Sequence, residues 1–180
     1  MAAVDSGQLA AEPRLLVSNK SSAPALTWAA ARGVPTLAIP TIAYPAGADA
    51  ALAEAMAKAG VELIVMSGYL RRLGPTTLAR YSGRILNIHP GPLPEFGGEG
   101  MYGARVHRAV IAAGVAESAI VIHVVDEEYD HGPEITRRSV PLRPGETAES
   151  LEERVKSLEP SFFVETLQQI ADGQLELPDA

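Results

Sequence analysis

The 180-residue sequence contains no cysteine and few aromatic residues. Without cysteine, neither a disulfide framework nor a cysteine-based metal site is available, a pattern that fits a reducing compartment. Aromatic side chains make up 5% of the chain, so the core has to be built from Ala, Val, Leu and Ile. A chain of this length is large enough for one domain. We therefore predict a single domain over residues 1–180, located in the cytoplasm.

Long apolar runs and dense clusters of positive charge are also missing. No stretch approaches the roughly 18 apolar residues that a membrane-spanning helix needs. The first residues lack the basic start and apolar stretch of a signal peptide. The formal net charge is -7, and Arg71-Arg72 and Arg137-Arg138 are isolated pairs. We expect neither a membrane nor a nucleic acid as a partner.

Short apolar runs alternate with helical patterns along the chain, which favours an α/β fold with a mostly parallel sheet. The last helix has Thr147 as its predicted N-cap, with Ser150 and Glu153 in its first turns. The predicted strands cover residues 14–18, 36–39, 62–66, 84–88, 119–125 and 135–140. The predicted helices cover residues 23–32, 46–59, 104–113 and 147–171.

The segment from His89 to Gly103 separates a predicted strand from a predicted helix. It contains five Gly and three Pro in fifteen residues. Loops of this length in compact domains are usually functional or disordered. Because the segment follows the carboxyl end of a strand, it lies where open α/β sheets bind ligands.

Asn87 and His89 stand two residues apart at the end of an apolar strand. Side chains at positions i and i+2 of a strand project to the same face, so the amide and the imidazole should point together beyond the strand. The alternative is structural: Asn87 caps a turn and His89 is a satisfied histidine at the boundary of the core.

A second polar cluster follows another buried strand. Residues 126–133 contain four acidic side chains and a histidine in a Gly-Pro turn. A carboxylate here could orient His89 and raise its pKa, which would make His89 a general acid or base. A solvated acidic turn explains the stretch equally well, because the spacing alone does not prove that the two clusters meet.

Three ordered motifs carry a resemblance to a known family. Residues 85–94 read Ile-Leu-Asn-Ile-His-Pro-Gly-Pro-Leu-Pro, residues 97–103 read Gly-Gly-Glu-Gly-Met-Tyr-Gly before Val106-His107, and residues 126–133 read Asp-Glu-Glu-Tyr-Asp-His-Gly-Pro. Together they resemble the formyltransferase superfamily, which binds 10-formyltetrahydrofolate, and within it the phosphoribosylglycinamide formyltransferases. The resemblance extends from about Leu15 to Leu177. It implies a Rossmann-like mixed, mostly parallel sheet flanked by helices.

The resemblance implies a role for each of three catalytic residues. Asn87 would donate its amide to the formyl oxygen as that oxygen gains negative charge. His89 would assist as a charged donor or proton-transfer group. Asp130 would fix and polarise His89 and help to move the proton of the attacking amine. The reaction needs no metal.

The same resemblance implies two binding regions. Leu70, Arg71 and Leu73 would form one side of the folate cleft, and the backbone of the loop formed by Glu127, Glu128, Tyr129 and Asp130 the other. Ile88 and Glu159 would contact a small-molecule amine substrate, Glu159 through its ribose. His107 and His123 match family histidines near the site, as supporting or core residues. The family histidine after this glutamate is replaced by Pro160, which leaves a local kink possible.

The match fails in two places. The family opens with a strand and a Gly-Ser-Gly-Ser/Thr-Asn loop that grips the substrate phosphate, whereas residues 2–8 resemble the end of the first helix. The chain is therefore expected to be N-terminally truncated, with sheet edges left for a homodimer or another partner to cover. The Ser-Arg or Ser-Lys pair of the family is also absent from residues 44–49, and Glu95 stands where Lys is common.

These departures leave alternatives open. A truncated reading frame explains the missing strand but not the missing cation. The alternative, which we favour, is a protein that has left purine synthesis and formylates an amine without phosphate. Two rivals to the transferase remain, a formyltetrahydrofolate hydrolase and a folate-binding or partner-binding remnant without turnover. The stretch 97–103 argues against the hydrolase, and the intact Asn87, His89 and Asp130 argue against the remnant.

Overall fold

A computed structural model describes residues 1–39 and 47–178 of the chain. Helices and strands alternate through most of the described sequence, as the apolar pattern predicts. The strands are β1 (Leu16–Ser18), β2 (Thr36–Ala38), β3 (Ile64–Met66), β4 (Ile85–His89), β5 (Glu117–Val124) and β6 (Glu134–Pro141). The helices are α1 (Ala2–Asp5), α2 (Pro24–Ala30), α3 (Ala48–Lys58), α4 (Pro75–Arg80), α5 (Ala104–Ala113) and α6 (Ala148–Ala171).

The described strands form two sheets, a parallel pair β1-β2 and a four-stranded sheet in the order β3-β4-β5-β6. Strands β3 and β4 are parallel, but β5 runs antiparallel to both β4 and β6. The α/β fold with a mixed sheet is therefore confirmed, and the expectation of mostly parallel pairing is wrong. For β5 and β6 the reason is local, because they are joined by the short turn of residues 125–133, which can only connect antiparallel neighbours.

No pairing between described strands joins the two sheets. Strand β3 therefore has β4 on one side only, and Val65 in its centre leaves 43% of its surface exposed. An apolar side chain at the centre of a strand is normally covered, so Val65 leaves an exposed apolar surface on β3, whose second edge has no partner among the described strands.

Two apolar clusters hold the larger sheet between helices. On one side α5 and α6 cover β4, β5 and β6, and the cluster includes Leu86, Val110, Ile122, Leu151 and Val155. A smaller cluster of Ile64, Tyr81 and Ile85 lies towards α3 and α4. The core contains few aromatic side chains, as the composition predicts. No helix among residues 1–39 and 47–178 is long and apolar enough to cross a membrane.

The helix ends show which local signals act. Helix α6 begins with a capping box, in which Thr147 and Ser150 each accept the backbone N–H of the other. It runs through Pro160 to Ala171. Helix α3 begins at Ala48, and the first predicted residue of that helix, Ala46, lies outside the described residues. Helix α4 was not predicted from the sequence.

Candidate active site

The antiparallel register of β4 and β5 places Asn87 directly opposite His123. Cross-strand partners on one face of a sheet are close enough for their side chains to interact. Asn87 Nδ2 lies 3.1 Å from His123 Nε2. The opposite edge of this imidazole is fixed too, because its Nδ1 lies 2.9 Å from the carbonyl oxygen of Val124. His123 is 2% exposed.

His89 is the last residue of β4 and is also buried. Its Nε2 lies 2.8 Å from the carbonyl oxygen of Phe96, in the loop that follows β4. A carbonyl oxygen only accepts hydrogen bonds, so this ring nitrogen carries the proton and donates it. The other nitrogen, Nδ1, lies 3.4 Å from Asp130 Oδ2. The loop thus holds the imidazole with its free edge towards the carboxylate.

Asp130 comes from the turn between β5 and β6 and adopts a φ of 56°, in the left-handed region. Asp and Asn are the side chains other than glycine that visit this region most readily. The carboxylate accepts the N–H of Gly98 at 3.0 Å through Oδ2, and its Oδ1 lies 3.5 Å from His123 Nε2. Three segments of the chain, namely β4, β5 and the loop after β4, meet at this one side chain.

The environment of Asp130 favours its ionised form. Burial by itself raises the pKa of a carboxyl group. The imidazoles of His123 and His89 and the N–H of Gly98 act in the opposite direction, and together they hold the pKa of Asp130 well below its usual range. The carboxylate is therefore charged at any pH at which the protein would work.

Two glycines allow the turn and the loop to approach each other. A Cβ at Gly97 would overlap the Leu93 side chain and press against Asp130. A Cβ at Gly132 would overlap the carbonyl oxygen of Val124, the acceptor that fixes His123. Gly132 is needed because a backbone oxygen lies too close for any side chain, whereas a side chain at Gly97 would require Leu93 to move.

The other acidic residues of the turn remain near solvent. Asp126 accepts from His131 Nδ1 at 2.8 Å, and that histidine is 68% exposed. The side chains of Glu127 and Glu128 are exposed. The structure therefore separates Asp130, which reaches the two histidines, from a solvated acidic rim.

The two sides of the predicted folate cleft lie close together. Leu70 and Arg71 are exposed, Leu70 to 58%, whereas Leu73 packs partly against the smaller core cluster. The guanidinium of Arg72 stacks over the Tyr129 ring at 4.7 Å. Arg72 was not predicted as a site residue. Its position between Arg71 and Leu73 gives no indication that it contacts Tyr129.

The side chains of the remaining predicted residues make no hydrogen bond to Asn87, His89 or Asp130 among the described residues. His107, in α5, is 1% exposed, and its Nδ1 has no partner within the described residues. Burial lowers its pKa, and the charge of Glu152 opposes this effect. Glu159, in α6, has its pKa raised by burial, with Lys156 and His89 acting against the rise. Ile88 packs partly against the larger core cluster.

Within residues 1–39 and 47–178 no cluster of three His, Cys, Asp or Glu residues has the arrangement of a metal site. The site instead combines an amide donor, two imidazoles and one carboxylate at the carboxyl end of β4. This set is suited to acid-base chemistry and to stabilising a developing negative charge.

Comparison with known proteins identifies the family. The sequence profile described as formyl transferase matches residues 1–167, so the chain belongs to the formyl transferase family. A phosphoribosylglycinamide formyltransferase of Bacillus subtilis is 34% identical over 162 residues, which cover 89% of this chain and 80% of that protein.

A chloroplastic phosphoribosylglycinamide formyltransferase of Vigna unguiculata is 35% identical over 94% of this chain. The match covers 55% of the Vigna protein, so this chain spans about half the length of that relative. The solved phosphoribosylglycinamide formyltransferase of Coxiella burnetii, in complex with CHES, superposes with a TM-score of 0.89 at 33% identity. That superposition covers 99% of this chain and 82% of the other.

Proposed function

We propose that the chain, as a single catalytic domain, transfers a formyl group from 10-formyltetrahydrofolate to a primary amine. The observation that carries the proposal is the ionised Asp130 between two buried imidazoles, beside the amide of Asn87. Membership of the formyl transferase family supports the same reaction. In this proposal the amine nitrogen bonds to the formyl carbon, the bond from that carbon to folate N10 breaks, and the amine proton passes to N10.

Each of the three side chains has a part in that exchange. The Asn87 amide donates to the formyl oxygen when it becomes negatively charged, which lowers the barrier most if the amide is already oriented. His89 stands with one edge bound to Phe96 and the other towards Asp130. In the proposed reaction His89 assists by proton transfer at its Nδ1 edge, which faces Asp130. Asp130 then relays the proton of the attacking amine, through water.

The folate donor would bind between Leu70, Arg71 and Leu73 on one side and the backbone of residues 127–130 on the other. Leu70 presents an exposed apolar surface there, which suits a flat ring system. The stack of Arg72 on Tyr129 joins the two sides and would fix the width of the cleft.

The acceptor that we propose is glycinamide ribonucleotide, the substrate class that the names of the relatives imply. Ile88 and Glu159 would contact it, and the raised pKa of Glu159 reflects a partly buried carboxyl group that a ribose hydroxyl could bind. Residues 44–49 lack the Ser-Arg or Ser-Lys pair that is usual in the family. An amine without a phosphate is therefore the second acceptor to be tested.

The open edge of β3 leads to a proposal about assembly. We propose that a second copy of the chain or another partner covers the edge at Val65, because an uncovered strand centre favours association. Light scattering would show a dimer for the wild type and a monomer for Val65→Lys. A monomeric wild type would contradict the homodimer. The proposed compartment is the cytoplasm.

A direct assay separates the transferase from its rivals. Purified protein is mixed with 10-formyltetrahydrofolate, and release of tetrahydrofolate is followed with and without glycinamide ribonucleotide. Release that depends on the amine supports the transferase. Release at the same rate without the amine indicates a hydrolase, and no release with either amine indicates a protein that binds folate without turnover.

A further inference from the structure

His123 is buried and has three polar neighbours. Its Nδ1 lies 2.9 Å from the carbonyl oxygen of Val124, and its Nε2 lies 3.1 Å from Asn87 Nδ2 and 3.5 Å from Asp130 Oδ1. The carbonyl oxygen can only accept, so Nδ1 carries a proton. The open question is whether Nε2 carries a second proton and donates to Asp130, or keeps its lone pair and accepts from Asn87.

A proton on Nε2 would let His123 contribute to the lowered pKa of Asp130. The distances nevertheless favour the contact with Asn87, and His89 and the N–H of Gly98 remain to lower that pKa. An N–H···O hydrogen bond spans about 2.7–3.2 Å, which places Asp130 Oδ1 outside the range and Asn87 Nδ2 inside the similar range for a nitrogen acceptor. An amide nitrogen has two donors and no acceptor function, so it pairs only with a ring nitrogen that keeps its lone pair. A doubly protonated His123 would bring two N–H donors face to face at 3.1 Å.

The charge of the site leads to the same result. Asp130 supplies one negative charge, and one imidazolium is enough to balance it. A second buried cation next to the first would be unpaired, and an unpaired buried charge is costly. Among the described residues, Asp130 is the polar neighbour of His89 Nδ1, whereas His123 Nε2 has a neutral donor available. A second cation at His123 is therefore not needed to balance Asp130.

We propose that His123 is a neutral imidazole, protonated at Nδ1, that positions the Asn87 amide by accepting one of its two N–H groups. This fixes the plane of the amide and leaves its second N–H free to donate in the cleft. His123 acts through Asn87 and does not touch the substrate, so it is a positioning residue. The expected effect on kcat rests on the proposed function, whereas the protonation state of His123 does not.

The kinetic test uses paired substitutions at residues 87 and 123. His123→Leu removes the acceptor, and kcat should fall about 10- to 100-fold because the donor is misplaced, with KM for the folate donor unchanged. His123→Gln carries an oxygen that can accept at the position of Nε2, and should restore most of kcat. In an Asn87→Ala background, His123→Leu should cause no further loss, because the only contact through which it acts is gone.

The control is His107→Leu, a histidine buried to the same degree that does not contact Asn87. Its effect on kcat should be the same in the wild-type and Asn87→Ala backgrounds. If His123→Leu instead lowers kcat by its full factor in the Asn87→Ala background, the proposal is wrong. If His123→Leu causes no further loss of kcat in an Asp130→Asn background but its full loss in the Asn87→Ala background, then His123 acts on the carboxylate.

Imidazole 15N NMR tests the protonation state even in a chain without turnover. The spectrum of His123, assigned by its loss in His123→Gln, should show a protonated Nδ1 and an unprotonated Nε2 at neutral pH. A protonated Nε2 would overturn the proposal, whatever the kinetics show. A wild type that transfers no formyl group but has the expected spectrum would contradict the proposed function alone.

Discussion

At the scale of single residues, Asp130 is the side chain through which the parts of the site meet. Its carboxylate accepts a hydrogen bond from the N–H of Gly98 in the loop after β4, and it faces His89 of β4 and His123 of β5. Its left-handed backbone directs the carboxylate inwards, while Asp126, four residues earlier, stays at the surface with His131. Two aspartates of one short turn thus have different environments, and substitutions at the two positions can be compared directly.

Asp130→Asn keeps the shape of the side chain and removes its charge. Because the carboxylate faces His89 and relays the proton of the amine in the proposed reaction, we expect kcat to fall by about 100- to 10,000-fold, the usual contribution of acid-base catalysis. Steady-state kinetics with saturating donor would measure it. The matched control is Asp126→Asn, which removes an equal charge from the same turn at a half-exposed position. Equal losses in the two variants would contradict the assignment.

The pH dependence of stability gives a second prediction for Asp130. Its pKa is lower in the folded chain than the unfolded value of about 3.9. Ionised Asp130 therefore stabilises the fold above that unfolded value, and the contribution is lost as the pH falls towards the folded pKa. The difference in unfolding free energy between wild type and Asp130→Asn should shrink below about pH 4. Urea titrations between about pH 5 and 3 would measure this difference, and a difference that grows as the pH falls would contradict it.

At the scale of helices and strands, the N-terminus of α4 is capped by a side chain of another helix. Asp49, in the first turn of α3, accepts the backbone N–H groups of Thr76 at 2.7 Å and Thr77 at 3.0 Å. These are N–H groups that the first turn of a helix leaves without an internal partner. Burial of Asp49 tends to raise its pKa, but the bonds from Thr77 and Thr76 outweigh this and lower it.

Loss of this cap should destabilise the chain. We expect Asp49→Ala to lower the free energy of unfolding by about 0.5–2 kcal/mol, the usual cost of removing a capping side chain. Urea unfolding followed by circular dichroism would measure it. Glu54→Ala on the same helix breaks only an exposed ion pair with Lys58 and should change little. A larger effect at Glu54 than at Asp49 would mean that α4 does not depend on the cap.

Whether a helix is capped by a neighbouring or by a distant residue explains which helices the sequence could predict. Helix α5 was predicted with its observed limits, because its apolar residues recur at helical spacing and Gly114 ends it in the left-handed conformation. Helix α4 has six residues and no side-chain cap of its own. Its cap comes from a residue 27 positions away. No local pattern contains that information.

At the scale of the whole molecule, the two sheets differ in how they are supported. Strands β1 and β2 have three residues each and no buried side chain, whereas β5 is buried at seven of its eight positions. Backbone amides open with a free energy that depends on such local burial. We expect amides of Leu16–Ser18 to exchange with solvent much faster than those of β5 in hydrogen-exchange mass spectrometry. Equal protection of the two regions would contradict this difference.

The site itself is a product of the tertiary fold. Asn87 and His89 could be placed on one face of a strand from their spacing alone. The contact between Asn87 and His123 depends on the register of β4 with β5, which joins residues 36 positions apart. The stack of Arg72 on Tyr129 is equally non-local. Sequence patterns identify which residues carry chemistry, but pairing between distant strands decides which of them meet.

The most direct test of the account follows the formyl carbon itself. The protein is incubated with 10-formyltetrahydrofolate labelled with 13C in the formyl group, together with glycinamide ribonucleotide, and the amine is recovered for mass spectrometry. The account predicts a 13C-formyl group on the amine nitrogen with the wild type, formed at least about 100-fold more slowly with Asp130→Asn. Labelled free formate with no labelled amine would contradict it.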